Sequence, residues 1–175
     1  RTVEINLVGS YRVVAAVGRV MRDAGAGRIV LFSGGGGTSP FPNYSAYAAS
    51  KAAVVRLAET LAVELEPHGI QVNALAPGFV ATRMHEATLA AGQRAGADYL
   101  NRTRRELEAG GVPAELAARA VVFLLSDQAE GITGRLLAAP WDAWWEWPER
   151  RKELEGTDLF TLRRIVPRDR GVAWP

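Results

Sequence analysis

The chain has no cysteine, only two histidines and no long apolar run. Without cysteine it has no disulfide, no thiolate zinc site and no cysteine nucleophile, which fits a reducing compartment, so we expect a cytoplasmic protein. His68 and His85 alone make a poor metal site, and we expect no metal. The densest apolar run, residues 120–125, is far shorter than the roughly 18 residues that a membrane-spanning helix needs, so we expect no membrane partner.

A strong excess of one charge is also missing, since 21 Lys and Arg stand against 19 Asp and Glu and leave a net charge of +2. So small a surplus does not indicate a nucleic-acid partner. The 175 residues are 48% hydrophobic and 23% charged, which is the balance of an ordinary globular domain. This composition excludes a disordered chain.

Short β-branched apolar segments alternate with longer helical patterns along the first 140 residues. We predict strands near 28–33, 69–75 and 134–139. The segment from Tyr44 to Glu66 is rich in Ala, Leu and Glu and lacks glycine and proline, so it is the clearest helix. A strand, a helix and a second strand in succession imply a parallel crossover. The predicted fold class is therefore α/β.

Two later segments have a different composition. In residues 83–112, four glycines break the pattern into short helical pieces, which predicts a mobile insertion that acts as a substrate lid. All five tryptophans lie in residues 141–175. This Trp-rich extension has three open interpretations: a platform on which sugars stack, an oligomer contact, or a tail packed on its own domain. We therefore predict a catalytic domain over 1–140 and an extension over 141–175.

Tyr47 and Lys51 stand four residues apart in the clearest helix and so share one face of it. A nearby ammonium favours the phenolate and lowers the pKa of a tyrosine, which moves it toward the range in which it works as a general acid or base. On this spacing alone, the simpler interpretation is a tyrosine at the edge of the core beside a solvated lysine. The neighbouring motifs change that balance.

These motifs are Ile5-Asn6-Leu7, a strand followed by a glycine run, Ser50 between Tyr47 and Lys51, Asn73 to Thr82 with its Pro77-Gly78, and Thr133-Gly134. With them, residues 3–139 resemble the short-chain dehydrogenase/reductase family. The resemblance implies the later half of a doubly wound, Rossmann-like parallel sheet, with three strands and flanking helices. It implies an NAD(P)-dependent oxidoreductase that interconverts an alcohol and a carbonyl, and a homodimer or homotetramer that associates through the first two helices.

The family's site residues carry over by position. Tyr47 would exchange a proton with the substrate oxygen, while Lys51 would hold the nicotinamide ribose and lower the Tyr47 pKa. Asn6 would hold a water-linked proton relay behind Lys51. The residues expected to line the nicotinamide and its phosphate are Pro77, Gly78, Val80 and Thr82. The implied cofactor is NAD or NADP and the substrate is a small alcohol or carbonyl, for which the Trp-rich extension suggests a polyol or a sugar.

One position departs from the family pattern. The family's carbonyl-orienting serine falls at Gly34, thirteen residues before Tyr47, and the neighbouring Ser33 would point to the other side of a strand. Three possibilities stay open: Ser33 or Thr38 reaches the substrate as a catalytic hydroxyl, backbone amides of residues 34–36 donate to the developing oxyanion, or the site is impaired. Impairment favours a second hypothesis, a non-catalytic binding or structural protein on the same scaffold.

The dinucleotide fingerprint of the family is missing from the chain. Residues 34–37 follow a strand, but they match neither Gly-x-Gly-x-x-Gly nor a phosphate loop. The chain also begins at Arg1 in an apolar pattern, with no turn or cap before it. We expect it to be the C-terminal part of a longer protein, inactive alone, with its first strand unpaired on one side.

Overall fold

Three parallel strands form the centre of the computed structural model, which describes residues 1–174. They are β1 (Gly27–Phe32), β2 (Ile70–Ala76) and β3 (Leu136–Ala138), in the order β1-β2-β3. The helices are α1 (Ser10–Ala24), which continues a π-helical segment (Glu4–Gly9), α2 (Ser45–Leu65), α3 (Arg83–Ala91), α4 (Ala97–Glu108), α5 (Ala114–Leu125) and α6 (Arg151–Leu154). No helix within residues 1–174 has both the length and the apolar character needed to cross a bilayer.

The α/β prediction is confirmed, with strand bounds that differ by one or two residues. Residue 27 pairs with residue 70, and the register continues to Phe32 opposite Leu75. β3 is shorter than predicted because Gly134 takes a positive φ of 70° at its start and Trp141 and Asp142 turn back onto the Ala138 carbonyl at its end. The segment 83–112 does form short helical pieces, α3 and α4, as predicted.

The sheet is covered on both faces, and β2 is buried along almost its whole length. On one face the core joins α1 and α2 to the sheet through Val14, Val54 and Ile29. On the other face Phe123 and Leu124 of α5 pack with Leu137. Strands covered on both sides are buried at nearly every position, and β2 follows this rule even at Asn73, whose buried amide is hydrogen-bonded to the backbone of Ile132 and Arg135.

The Trp-rich extension packs on its own domain. Trp147 is 3% exposed and belongs to the core beside α5. The backbone N–H of Leu136 donates to the Phe160 carbonyl at 2.8 Å, so the extension covers the outer edge of β3. The Arg135 guanidinium donates to the carbonyls of Leu154, Thr157 and Leu159. Of the three interpretations of this segment, the structure favours the third.

The opposite edge of the sheet is open. Within residues 1–174, β1 pairs only with β2, and Phe32 at its end is 48% exposed. The adjoining α1 exposes Val13 (62%) and Val20 (70%). An apolar helix face beside an unpaired strand is the surface on which further protein normally packs.

The glycine run after β1 lies unusually close to α2. Gly35–Gly37 form one 3-10 turn, in which Gly36 and Gly37 are buried. A Cβ added at Gly36 would lie 2.8 Å from both the Cα and the Cβ of Ala48. A Cβ at Gly37 would overlap the Ser33 hydroxyl. The run therefore brings the backbone after β1 against the first turns of α2.

We predict that Gly36→Ala destabilises the fold by about 1–3 kcal/mol, because the new methyl group overlaps helix backbone that cannot move without shifting α2. The melting temperature should fall by roughly 3–10 °C in a thermal scan. Gly35→Ala is the matched control, since a Cβ there meets nothing within 4 Å. Equal melting temperatures for the two variants would contradict this account of the packing.

Candidate active site

A cavity of about 580 Å³ opens at the carboxyl ends of all three strands. It is bordered by Gly34 after β1, by Pro77 and Gly78 after β2, and by Ala138 at the end of β3. In open α/β sheets this edge is where ligands bind, because the loops that follow the strands diverge there. Tyr47, from the first turn of α2, lines the same cavity.

The Tyr47 hydroxyl lies against the backbone of Gly34. A Cβ added at Gly34 would stand 2.5 Å from Tyr47 Oη. The absence of a side chain at position 34 is thus what gives the hydroxyl its place. Phe41 contacts the Tyr47 ring edge-on, with ring centroids 5.9 Å apart. Burial among these groups raises the pKa of Tyr47 above its ordinary value, because the phenolate is poorly solvated there.

Lys51 stands beside Tyr47, but its ammonium group has another partner. Lys51 Nζ donates to the Phe32 carbonyl at 2.9 Å and lies 5.8 Å from the Tyr47 ring centroid. Burial lowers the pKa of Lys51. The Lys51 ammonium is thus held at the carboxyl end of β1, and burial raises the pKa of Tyr47. Lys51 does not border the cavity itself.

Asn6 contacts α2 through Ser50 rather than through Lys51. Its Nδ2 donates to Ser50 Oγ at 3.0 Å, and Ser50 Oγ donates to the Tyr47 carbonyl at 2.7 Å. Ser50 is 1% exposed, so this chain of hydrogen bonds is internal. It ties the π-helical segment before α1 to the turn of α2 that carries Tyr47.

The structure does not bring the Ser33 hydroxyl to Tyr47. Ser33 is buried at the border of the cavity, and its Oγ donates to the Lys51 carbonyl at 3.1 Å. The hydroxyl therefore faces the backbone of α2. Thr38 and the backbone of Gly34 and Gly35 border the cavity.

The four residues expected to line the cofactor separate into two pairs. Pro77 and Gly78 border the cavity, and Gly78 has a positive φ of 85°. Val80 and Thr82 do not border it. Thr82 caps α3 instead, since its backbone N–H and hydroxyl both lie 3.3 Å from Nδ1 of the buried His85. Burial lowers the pKa of His85.

Several residues of the cavity wall carried no recognisable motif in the sequence. They are Phe41, His85, Tyr99, Arg102, Trp141, Asp142, Phe160 and Thr161. The tryptophan content of the extension was the one available signal, and it pointed to the segment rather than to a residue. Among residues 1–174, no three His, Asp or Glu side chains are grouped so that they could hold a metal ion.

A model of the family described as enoyl-(acyl carrier protein) reductase matches residues 1–139. The chain belongs to the short-chain dehydrogenase/reductase family. Its similarity ends where the Trp-rich extension begins, so that extension lies outside the part this family model describes.

Known members of the short-chain dehydrogenase/reductase family differ in substrate. An NAD-dependent glycerol dehydrogenase of Listeria innocua is 37% identical over 140 residues, or 78% of this chain and 52% of that protein. A 3-oxoacyl-[acyl-carrier-protein] reductase of Salmonella typhimurium is 38% identical over 136 residues, or 77% of this chain and 53% of that protein. The chain spans about half the length of these relatives.

A solved structure of the family matches the fold. It is a gluconate 5-dehydrogenase from Burkholderia cenocepacia in complex with NADP and tartrate, with a TM-score of 0.64 and 30% sequence identity. The match covers 76% of this chain and 51% of that one. It supports the parallel three-stranded arrangement and its flanking helices as part of a Rossmann-like short-chain dehydrogenase/reductase fold.

We predict that Gly34→Ser, which places the family's serine at its usual position, displaces the Tyr47 hydroxyl by about 1 Å, since carbon and oxygen atoms need roughly 3.5 Å. A crystal structure of the variant measures the displacement. The melting temperature should change little, because only the far end of one side chain moves. Gly35→Ser should leave Tyr47 in place, as a Cβ there has open space. An unmoved Tyr47 hydroxyl in Gly34→Ser would contradict the prediction.

Proposed function

We propose that the protein interconverts an alcohol and a carbonyl by hydride transfer with NAD or NADP, and that Tyr47 exchanges the proton with the substrate oxygen. The observation that carries the proposal is the position of Tyr47, in a cavity at the carboxyl ends of the strands that Pro77 and Gly78 also border. Membership of the short-chain dehydrogenase/reductase family supports it. The substrate is a small molecule, and no nucleic acid is involved.

Tyr47 carries the proton that reduction of a carbonyl requires. Burial raises its pKa, so the hydroxyl is protonated at neutral pH, but the same shift makes it a weaker acid. Proton transfer to a carbonyl oxygen would therefore need a nearby positive charge that lowers this pKa again. In the opposite direction it takes up the alcohol proton, a step that a higher pH favours. When bound, a nicotinamide supplies or accepts the hydride.

Lys51 and Asn6 support Tyr47 in this proposal. Lys51 would leave the Phe32 carbonyl to hold the ribose hydroxyls of the cofactor, and its charge would then favour the phenolate. Asn6 would keep the first turns of α2 in place through Ser50, while its proton-relay role stays an expectation from the family. Pro77 and Gly78 would contact the nicotinamide, and Val80 and Thr82 would contact the phosphate next to it.

The residues present fit only one half of the cofactor. The cavity beside Tyr47 has the size and the mixed polarity for a nicotinamide and a small substrate. The glycine run is unsuited to the phosphates, since Gly36 and Gly37 are packed against α2. We therefore propose that the adenosine half is bound by chain other than residues 1–174, and that these residues are inactive alone.

Because position 34 is a glycine, another group must orient the substrate carbonyl. Ser33 is engaged by the Lys51 carbonyl, which disfavours it for this role. Thr38, Gly34 and Gly35 border the cavity, so the Thr38 hydroxyl and the backbone N–H groups of the two glycines remain as candidate donors. Preorganised N–H groups aimed at a developing oxyanion are an effective catalytic device, and we propose them for this position.

A second candidate function follows from the same glycine. A non-catalytic binding or structural protein would have no need of the orienting serine, and Gly34 favours this hypothesis. The retained Tyr47, Lys51 and Asn6 argue against it. In either case we propose association into a homodimer or homotetramer, which the exposed apolar face of α1 supports. A cytoplasmic location stays a prediction.

We predict that Tyr47→Phe in the complete gene product lowers kcat by about 10²–10⁴-fold, the usual contribution of a positioned acid or base. Steady-state turnover with NAD or NADP and a panel of alcohols measures the loss. Tyr44→Phe is the matched control, because it removes a phenol that does not border the cavity: the Tyr44 ring stacks on Phe41, and its Oη contacts Thr88 Oγ1 at 2.7 Å. Unchanged turnover in Tyr47→Phe would remove this residue from the mechanism.

We predict that the complete gene product binds NADH or NADPH saturably, with a change in cofactor fluorescence. A titration with each dinucleotide distinguishes the two cofactors and also tests the non-catalytic hypothesis. A well-folded protein that binds neither would favour the second candidate function.

A further inference from the structure

The Trp-rich extension supplies one wall of the cavity that holds Tyr47. Trp141, Asp142, Phe160 and Thr161 all border this cavity, and all lie beyond the residues 1–139 that the family model matches. The reacting end of the cavity therefore comes from the common scaffold, whereas this wall is particular to the extension. A wall of this kind is where substrate preference is set.

The extension is held firmly at the point where it meets the cavity. Arg135 binds three of its carbonyls, and the carboxylate of the buried Glu59 accepts the Leu162 N–H. Between these anchors Phe160 has a positive φ of 58°, a conformation that bulky residues rarely take. Its ring packs on Trp147 with centroids 4.7 Å apart. Strained residues persist where the surroundings hold them, and they cluster at ligand sites.

Asp142 is a carboxylate without a cationic partner. Its Oδ2 accepts the Ala138 N–H at 2.6 Å, and this is the one hydrogen bond of the carboxylate within residues 1–174. None of the ion pairs formed within those residues includes it. A carboxylate has about four acceptor positions, so most of the capacity of Asp142 is unused. Partial burial raises its pKa, as expected where the charge is incompletely solvated.

Hydroxyl groups are the donors that suit this carboxylate. An apolar ketone would cover Asp142 without a hydrogen bond, which is costly for a charged group. A cationic ligand is disfavoured because Arg102, at the same cavity, would repel it. A polyol or sugar offers several neutral donors to the carboxylate and to Thr161. Its C–H faces can pack on aromatic rings such as Trp141 and Phe160.

We propose that the extension makes this cavity a site for polyhydroxylated substrates, with Asp142 accepting hydroxyl groups remote from the reacting carbon. Asp142 is then a specificity-determining residue rather than a catalytic one. The inference rests on the proposed function for the reaction itself, and it adds the substrate class and the residue that selects it.

The test compares Asp142→Asn with the wild type of the complete gene product on xylitol and on butan-2-ol. Asparagine keeps an acceptor for the Ala138 N–H but loses the charge. We expect KM for xylitol to rise about tenfold or more, since hydrogen bonds to charged groups are the strong ones, while kcat/KM for butan-2-ol stays within about twofold. Glu149→Gln, which removes an exposed carboxylate of the same segment away from the cavity, should change neither.

An equal effect of Asp142→Asn on the two alcohols, or no effect on either, overturns the inference and leaves the proposed function intact. A wild type without turnover on any alcohol overturns the proposed function instead. The inference is then tested by calorimetric titration of xylitol into the wild type and Asp142→Asn, with and without saturating NADH or NADPH. Binding that weakens about tenfold or more in the variant supports it, and absent or equal binding overturns it.

Discussion

The close approach of the glycine run to helix α2 fixes the geometry of the whole site. Gly36 and Gly37 have no side chains to hold the backbone away, so the turn after β1 rests directly on the segment from Ala48 to Lys51. That contact fixes the position of α2, and therefore of Tyr47, relative to the carboxyl ends of the strands. It also explains why Gly36 and Gly37 serve packing here, although a glycine run after a strand otherwise indicates a phosphate site.

Burial shifts the pKa of both members of the Tyr47–Lys51 pair, raising that of Tyr47 and lowering that of Lys51. Four residues of spacing put a tyrosine and a lysine on one helix face, but the ammonium lowers the pKa of the tyrosine only if Nζ lies close to the hydroxyl. Here Lys51 Nζ is held by the Phe32 carbonyl, at the edge of β1 that lacks a second strand partner within residues 1–174. The electrostatics of the pair thus depend on what occupies that edge. A strand or cofactor that takes Lys51 from the carbonyl would also change the pKa of Tyr47.

The sequence predicts the scaffold well because local signals and long-range packing agree there. The α2 helix has no competing glycine or proline, and the strands are apolar at most positions because both faces are covered. The position of Tyr47 in a cavity followed from the family motifs. Val80 and Thr82 do not border this cavity, and the side chain of Thr82 is engaged by a capping interaction with His85. Such a local competition between capping and ligand binding is not visible in a motif.

The sequence could not predict which residues of the extension form the cavity wall, for a different reason. Asp142 and Phe160 reach the cavity because the chain turns at Ala138 and later returns along β3, where Arg135 and Glu59 hold it. Neither residue belongs to a motif. Glu59 binds a backbone N–H that lies 103 residues later in the chain, and Arg135 binds carbonyls of the irregular backbone of the extension. Arg135 and Glu59, which hold the extension along the outer edge of the sheet, thereby also place it in the wall of the cavity that Tyr47 lines. Edge protection and substrate selection are therefore linked in this chain, so a change at Arg135 would alter both stability and the shape of the cavity.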